Sequence, residues 1–391
     1  MLQKEEILAL IDKQEPEMLA LWEKLVRIET PTENKEGLEK LAGELEALFD
    51  QYGFAYEKTE FPKAGPTLVA NVKGDDLAPI IFMSHMDTVH TVGAFGDNAW
   101  VIDSENPDIV HGPGVSDTKG GVVSALYAMK VLKEIGYSKR PLKLILVGDE
   151  EVAHAASEGA ASAIIEREVE GAACAFNCDS GRLDRNIAVK RNGGGIFKVT
   201  VHGKAAHAGN APWEGANAIL AASKKIAAIA ELSDYNDAYF GTGVIKGGSK
   251  SNIVPDYCEF INDIRFKTNA AYDGAVAKIK AVCENDEDAR IKTEVKVVGC
   301  FRAMEKVEKT DAFFDIYKNV CVELGYPEPQ AVEAGGCSDA SFVAYKNVPV
   351  LCGTGSRGAN NHSLEEYAIL SSVAEQVKKM VLTVLAIPDN F

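Results

Sequence analysis

The sequence predicts an α/β protein with a mostly parallel sheet and helices on both faces, plus an inserted ferredoxin-like α+β domain. Three observations predict this class. Short apolar runs alternate with helical patterns up to about residue 188, a β-α-β-β-α-β order follows, and a helix-strand-helix pattern resumes at about 302. Strands that alternate with helices are typical of parallel sheets covered on both faces, and the compact middle order is typical of the ferredoxin-like unit.

The first part of the chain begins with an amphipathic helix over residues 34–52. Gly53 stands where a helix C-cap is expected, and four leucines have helical spacing: Leu38, Leu41, Leu45 and Leu48. The elements predicted next are strands over 68–73 and 78–84, a helix over 119–137, a strand over 142–148, a helix near 157–168 and a strand over 173–179.

The middle and last parts complete the pattern. The predicted elements are a strand over 196–203, a helix over 213–232, strands near 240–247 and 257–266, a helix over 270–285 and a strand over 291–299, then a helix over 310–324, the strand VPVLCG and a final helix over 371–386. We therefore expect a discontinuous domain of residues 1–187 and 302–391, with residues 188–301 inserted into it.

Composition excludes several classes of partner. The chain has 391 residues, 46% of them hydrophobic, and a net charge of -17, whereas binding to nucleic acid or anionic lipid calls for basic patches. The sequence shows neither a signal peptide nor an apolar stretch of membrane-spanning length, so we expect a cytoplasmic protein. The eight cysteines are spread without zinc-knuckle spacing, which favours reduced core thiols.

Polar residues follow the predicted strands, where an α/β sheet carries its functional loops. The candidates are His85 and Asp87 after the strand 78–84, Asp117 in the turn GPGVSDTKGG, Glu150 and Glu151 after 142–148, Asp179 after 173–179, and His362 in NNHSLEEY. Each alone is weak, because a histidine after a strand is more often a capped or solvated residue and D-E-E is usually a solvated acidic turn.

Together these residues indicate a metal site. Several carboxylates at one sheet edge repel one another unless a cation or a proton compensates. Imidazole and carboxylate ligands without thiolate suit zinc, manganese or cobalt with open positions, and a carboxylate can bridge two such ions. The glycines of GPGVSDTKGG fit neither a P-loop nor a dinucleotide fingerprint.

Seven motifs in order resemble a family of dinuclear metallopeptidases. The motifs are S-H-M-D-T-V, G-P-G-V-S-D-T-K-G-G, G-D-E-E, the Asp after the next strand, G-K-A-A-H-A-G, S-N-I-V-P and G-G-C-S-D-A. The family contains carboxypeptidase G (glutamate carboxypeptidase), aminoacylase, peptidase T, acetylornithine deacetylase and succinyl-diaminopimelate desuccinylase. The likeness covers nearly the whole chain, and it is greatest to the carboxypeptidase G branch.

The resemblance implies roles for the residues at the sheet edge. His85 and Asp179 would bind one metal, Glu151 and His362 the other, and Asp117 would bridge them together with a water or hydroxide. Two divalent ions are implied, zinc first, with manganese or cobalt as alternatives. Asp87 would orient the His85 imidazole, and Glu150 would be the general base. The family also holds the peptide after its bridging aspartate in the cis form, which predicts a cis bond between Asp117 and Thr118.

The resemblance extends to the inserted domain. His207 would reach the active site of a partner subunit and stabilise an oxyanion, so the insert would be a lid and a homodimer surface. Asn252 would add a polar contact, Arg265 would pair with a substrate carboxylate, and Gly335 would let the backbone approach the ligand. The plainer interpretations are a surface turn for His207 and an ordinary strand-surface arginine for Arg265.

Two departures from the family pattern bear on the substrate. Where many relatives carry Gly-Ser after D-E-E, this chain has His154, which is interpreted as a solvated helix-start residue, a substrate contact or another ligand. Arg357 precedes His362 closely and adds a cation that would alter substrate preference. His90 is interpreted as a loop residue near the mouth of the site.

The expected function is metal-dependent cleavage of an amide bond in a small peptide or N-acyl amino acid. Two alternatives remain open. One is a single-metal amidohydrolase acting on a carbamoyl or ureide substrate, and the other is a non-catalytic binding protein that retains the fold.

Overall fold

The computed structural model describes residues 2–391. Within them the helices are α1 (Lys4–Val26), α2 (Lys35–Tyr52), α3 (Gly120–Glu134), α4 (Ala160–Val169), α5 (Ala218–Ala230), α6 (Asn269–Glu284), α7 (Thr310–Glu323), α8 (Ala340–Tyr345) and α9 (Ser372–Ala386). A single π-turn spans Val115–Lys119, and 3₁₀ turns span Glu150–Val152 and Pro212–Glu214.

The structure contains strands at the predicted positions and several additional short strands. They are β1 (Ala55–Thr59), β2 (Thr67–Val72), β3 (Ile80–His85), β4 (Val101–Ile102), β5 (Ile109–His111), β6 (Leu142–Val147), β7 (Cys174–Asn177), β8 (Ile187–Arg191), β9 (Gly193–His202), β10 (Ala206–His207), β11 (Ala238–Gly247), β12 (Ile253–Val254), β13 (Tyr257–Phe266), β14 (Lys292–Phe301), β15 (Ala331–Ala334), β16 (Val350–Cys352), β17 (Gly358–Ala359) and β18 (Tyr367–Ile369).

The chain divides into two compact units. The first comprises Met1–Lys190, Lys306–Ala334 and Ser338–Phe391, and the second comprises Arg191–Glu305 with Gly335–Cys337. The sequence places its boundaries at about 188 and 301.

The first unit is built on an eight-stranded sheet with the order β1-β2-β6-β3-β7-β16-β8-β15. Its four central strands, β6, β3, β7 and β16, pair in parallel, and the pairings of β1 with β2 and of β2 with β6 are antiparallel. All six residues of β3 are buried, which is typical of a strand covered on both faces. The predicted α/β class is confirmed, and His85 stands at the carboxyl end of a central strand.

The end of α2 follows the predicted cap chemistry. Gly53 has a φ of 66°, a left-handed conformation that glycine adopts without a Cβ penalty. At the other end, the side chain of Asn34 accepts a hydrogen bond from the Gly37 backbone N–H at 3.1 Å, as an N-cap does. The predicted helix over 34–52 is confirmed.

The second unit is a four-stranded antiparallel sheet with the order β11-β13-β9-β14. Helices α5 and α6 pack on it around a core that includes Phe197, Phe260 and Ile279, so the β-α-β-β-α-β order is confirmed. The first helix starts at Ala218, whereas the sequence places its start at 213. The Asn217 side chain accepts a hydrogen bond from the Leu220 backbone N–H at 2.9 Å, and this N-cap sets the start.

The cysteines and helices agree with the compositional expectations. None of the eight cysteines, all of which lie in the described residues, forms a disulfide, and six of them are buried. Among residues 2–391, no helix has the length and apolarity that crossing a membrane requires.

Candidate metal centre

His85 lies buried at the end of β3, between two aspartates. Its Nε2 is 3.1 Å from Oδ1 of Asp117. Its Nδ1 is 3.0 Å from the backbone carbonyl oxygen of Asp87 and 3.5 Å from the Asp87 carboxylate. Asp87 therefore lies beside the far nitrogen of the imidazole, as the two-residue repeat of an extended segment predicts, but the shorter contact is through its backbone carbonyl.

Asp117 lies at the centre of the polar residues. Its Oδ1 faces His85, and its Oδ2 is 3.3 Å from Nε2 of His362. Two groups of side chains share this carboxylate. Each group could hold a metal ion, because its ligand atoms lie within 4.8 Å of one another. One group is His85, Asp117 and Asp179, and the other is Asp117, Glu151 and His362. The structure thus brings together all five side chains that the sequence proposes as ligands.

The two glutamates stand on the 3₁₀ turn after β6, and Asp87 holds that turn. The carboxylate of Asp87 is fully buried and accepts the backbone N–H of Glu150 at 3.1 Å on one oxygen and that of Glu151 at 3.1 Å on the other. The hydroxyl of Thr32 donates to it at 2.8 Å. The sequence predicted only that Asp87 orients the imidazole of His85. The structure adds that Asp87 also fixes the turn that carries Glu150 and Glu151.

Burial and charge shift the proton affinities of the carboxyls in opposite directions. Burial raises the pKa of Glu150 well above its usual range and that of Glu151 to about 7. For Asp117 burial acts in the same direction, but the hydrogen bonds from His362 and His85 outweigh it and lower the pKa.

The two imidazoles bind protons tightly. Hydrogen bonds to Asp117 and Glu151 raise the pKa of His362 to about 10. For His85 burial favours the neutral ring, but the charge of Glu150 and the hydrogen bonds to Asp117 and Asp87 outweigh it, so the pKa is raised well above its usual range. The protons on these rings offset the clustered carboxylates, a task that a metal cation performs when it displaces them.

One buried oxygen supports the metal-site interpretation directly. The side chain of Glu151 is 6% exposed, its Oε2 is 3.3 Å from Nε2 of His362, and its Oε1 has no hydrogen-bond partner among residues 2–391. A buried carboxylate oxygen without a partner is costly. The residues therefore fit divalent metals, because the donors are imidazole and carboxylate and Oε1 of Glu151 has no hydrogen bond within the described residues that a metal ion would have to replace.

The turn that carries Asp117 is held by a residue that the sequence did not single out. The buried carboxylate of Glu366 accepts the backbone N–H groups of Gly114, Ser116 and Asp117 at 3.2, 2.9 and 3.0 Å. Nε2 of His90 lies 2.6 Å from the same carboxylate. His90 lies in a loop, as the sequence predicts, but it is buried, so its placement near the mouth of the site is wrong.

The same turn contains the predicted cis peptide, and the bond between Asp117 and Thr118 is cis. The start of α3 then runs against the loop after β7. A Cβ built on Gly121 would lie 1.7 Å from the carbonyl oxygen of Cys178, so only glycine permits this approach.

The two departures from the family pattern occupy buried positions. Arg357 is 6% exposed, and its Nη2 donates to the carboxylate of Glu375 on α9 at 3.0 Å. This buried ion pair corrects the interpretation of Arg357 as a cation that alters substrate preference. His154 is 1% exposed and lies between Asp149 and Asp339, so it is not a solvated helix-start residue.

The predicted residues of the second unit are exposed. The β10–β12 pair places His207 opposite Ile253, and the backbone carbonyl of Asn252 accepts the Ala208 N–H at 3.0 Å, so the His207 and Asn252 segments adjoin. Gly335 has open space where a Cβ would lie.

Arg265 is half-exposed and already holds a carboxylate. Its Nε and Nη2 donate to the two carboxylate oxygens of Asp263 at 2.7 and 2.9 Å. Its Nη1 donates to Sγ of Cys337 at 3.4 Å. The guanidinium is therefore fixed on one side by Asp263, which limits how a further carboxylate can approach it.

An α/β unit that gathers imidazole and carboxylate side chains at the carboxyl edge of its sheet is typical of metallohydrolases. The sequence profile of Peptidase family M20/M25/M40 matches residues 81–386. The chain belongs to this family and is an enzyme of the metallopeptidase and amide-hydrolase type, which confirms the predicted class.

Individual relatives agree with this assignment. Carboxypeptidase G2 from Pseudomonas sp. (strain RS-16) is 29% identical over 377 residues, which cover 93% of this chain and 88% of the relative. A succinyl-diaminopimelate desuccinylase from Bradyrhizobium diazoefficiens is 24% identical over 375 residues, covering 87% and 92%. The crystal structure of an M20 family metallo-carboxypeptidase from Sulfolobus solfataricus superposes with a TM-score of 0.73 at 15% identity, covering 94% and 98%.

Proposed function

We propose that the protein is a two-metal hydrolase that cleaves the amide bond of a small peptide or an N-acyl amino acid. The observation that carries the proposal is the sharing of one carboxylate, Asp117, by two ligand groups. A carboxylate with a different imidazole at each oxygen suits a pair of cations, because each oxygen can bind one of them.

The ligands divide between the two ions. His85 and Asp179 would hold the first, Glu151 and His362 the second, and Asp117 both. We propose zinc, since imidazole and carboxylate donors suit it, while manganese and cobalt accept the same donors. When bound, two such ions polarise the scissile carbonyl and lower the pKa of a nucleophilic water.

Glu150 would move the proton. Its carboxyl is buried on the same turn as the proposed ligand Glu151, where a carboxylate can take a proton from the attacking water and deliver it to the leaving amine. The backbone hydrogen bond to Asp87 holds the turn on which it stands. Asp87 would thereby serve both the imidazole of His85 and the general base.

The second unit would supply contacts to the substrate. Nδ1 of His207 accepts the backbone N–H groups of Gly209 and Asn210 at 3.1 and 3.2 Å, so in the neutral ring the proton lies on Nε2 and can be donated to an oxyanion. Arg265 and Asn252 would bind the carboxylate and polar groups of the substrate, and Gly335 would admit it.

We further propose that residues 188–301 act as a lid and form a homodimer through which His207 serves the partner's site. Cysteines without disulfide bonds suit a reducing compartment, so we place the enzyme in the cytoplasm. The net charge of -17 makes nucleic acid an unsuitable partner.

The first test is a substrate panel with metal analysis. Dipeptides, peptides with C-terminal glutamate and N-acyl amino acids are assayed after loading with zinc, manganese or cobalt, and metal per chain is measured. We expect cleavage of a substrate with a free carboxylate and about two ions per chain. Full activity with about one ion per chain would indicate a single-metal amidohydrolase. Binding without cleavage would indicate a protein that only retains the fold.

Mixed dimers test the role of His207. His207→Ala and Glu150→Gln chains are each expected to be nearly inactive, but refolded together they should recover about a quarter of the wild-type activity, because half of the dimers then hold one complete site. In the control, Glu150→Gln chains are mixed with the Glu150→Gln/His207→Ala double variant, and no recovery is expected. Failure of the first mixture to gain activity over the control contradicts a role in the partner's site.

A further inference from the structure

We infer that His154 is a positioning residue, which fixes the turn carrying Glu150 and Glu151 to the segment that begins α8. The inference rests on the proposed function for these glutamates. His154 lies outside the groups of proposed metal ligands, and its burial contradicts its interpretation as a solvated helix-start residue.

The imidazole joins two segments that are far apart in the chain. Nδ1 of His154 is 3.0 Å from Oδ1 of Asp149, the residue directly before Glu150. Nε2 is 2.6 Å from Oδ1 of Asp339, the residue directly before α8. Both ring nitrogens thus face carboxylates, and a doubly protonated ring donates to both.

Burial makes this bridge necessary. Asp149 is 0% exposed, His154 1% and Asp339 3%. Carboxylates withdrawn from water need a compensating cation, a proton or hydrogen-bond donors. A doubly protonated imidazole between these two donates to both and offsets one of the two charges. The His154 ring also packs against Phe342 of α8 in an edge-to-face arrangement, with 5.4 Å between ring centroids.

The segment between the 3₁₀ turn and α4 needs an anchor of this kind. Ala153, His154 and Glu158 have φ values of 53°, 58° and 56°, which place three residues with a Cβ in the left-handed region where glycine is favoured. Such residues persist only when the surroundings determine the backbone.

Two hydrogen bonds from backbone N–H groups connect Asp149 with the residues that follow the turn. The N–H of His154 donates to the Asp149 carbonyl at 3.0 Å, and the Ser157 N–H donates to Oδ2 of Asp149 at 2.8 Å. Asp87 holds the turn from one side and His154 ties the following residues to Asp339. Loss of the bridge would leave the turn attached at one side alone.

The test is His154→Gln, a neutral residue of similar reach, assayed with the substrate that the panel identifies. We expect kcat to fall about 10- to 100-fold with KM nearly unchanged, and we expect amide hydrogen exchange to accelerate over residues 149–159. His111→Gln is the control, because that half-buried histidine lies 3.6 Å from Asp103, outside the site, and should change neither quantity.

A second pair of variants separates positioning from folding stability. If His154→Gln leaves an uncompensated carboxylate, the added change Asp339→Asn should cost no further activity and should restore part of it, so the two changes are strongly non-additive. Additive losses overturn the inference. If His154→Gln does not fold, Asp339→Asn alone must show the same faster exchange and the same fall in kcat.

The outcomes keep the inference distinct from the proposed function. An unchanged kcat in folded His154→Gln overturns the positioning role even if the segment exchanges faster, since His154 would then serve stability alone. If the wild-type protein cleaves nothing on the panel, the proposed function fails, and unchanged exchange over residues 149–159 in the variant would still overturn the bridge.

Discussion

Glu150→Gln is expected to lower kcat by about 10²- to 10⁴-fold, with KM changed little and the metal content unchanged. Glutamine keeps the shape of the side chain and the backbone N–H that donates to Asp87, but it can neither accept nor deliver a proton. The measurement is steady-state kinetics with the identified substrate, together with metal per chain.

Two glutamates on the same short stretch supply the controls. Glu158→Gln alters a loop residue whose contact is a surface ion pair with Lys63 at 3.7 Å, and it should leave kcat within about twofold, since exposed pairs contribute little. Glu151→Gln should instead lose metal, because it removes a proposed ligand. If Glu150→Gln keeps most of the wild-type activity, the general base is another group and the proposed mechanism is wrong.

The elements at the centre of the fold could be predicted because their signals are local. β3 begins with the apolar run Ile80–Met83 and is buried along its whole length, and such a run followed by polar residues identifies a central strand and its functional end. β6 is apolar and buried except at Lys143, and it ends just before the glutamates. The gathering of His85, Glu151 and Asp179 at one edge follows from this, since parallel strands bring their carboxyl ends to one edge. The division of the ligands into two groups was implied by the family resemblance.

The partners of the site residues could not be predicted in the same way, because the contacts join distant parts of the chain. His90 and Glu366 are separated by 276 residues, and His154 and Asp339 by 185. No periodicity or spacing couples such pairs. Sequence reasoning therefore placed His90 near the mouth of the site and left three roles open for His154, whereas each histidine has a buried carboxylate as its neighbour.

The helix α1 shows a different limit of prediction from the sequence. Its buried residues recur at helical spacing: Ile7, Ile11, Met18, Trp22 and Leu25. Pro16 lies inside the helix, and proline argues locally against continuation. Packing of the apolar face against the core outweighs that penalty. The strands β4, β5, β17 and β18 have two or three residues each, too few for an alternation to show.

Asp117→Asn is expected to abolish tight binding of both ions and to lower activity by at least about 10²- to 10³-fold, the size associated with one lost electrostatic contact in an active site. The carboxylate presents one oxygen toward His85 at 3.1 Å and the other toward His362 at 3.3 Å. Asparagine keeps one oxygen, and its amide nitrogen cannot bind a cation. It also removes the one negative charge that both ligand groups share.

Metal per chain after dialysis and activity with added zinc are the two measurements. Asp184→Asn is the matched control, because that aspartate is half-exposed and pairs with Arg182 at the surface, and it should retain both ions. The other proposed ligands discriminate further. Asp179→Asn should weaken mainly one ion, since Asp179 belongs to a single group, whereas Asp117→Asn should weaken both. An Asp117→Asn protein that holds two ions per chain as tightly as the wild type would show that the carboxylate is not shared between metals.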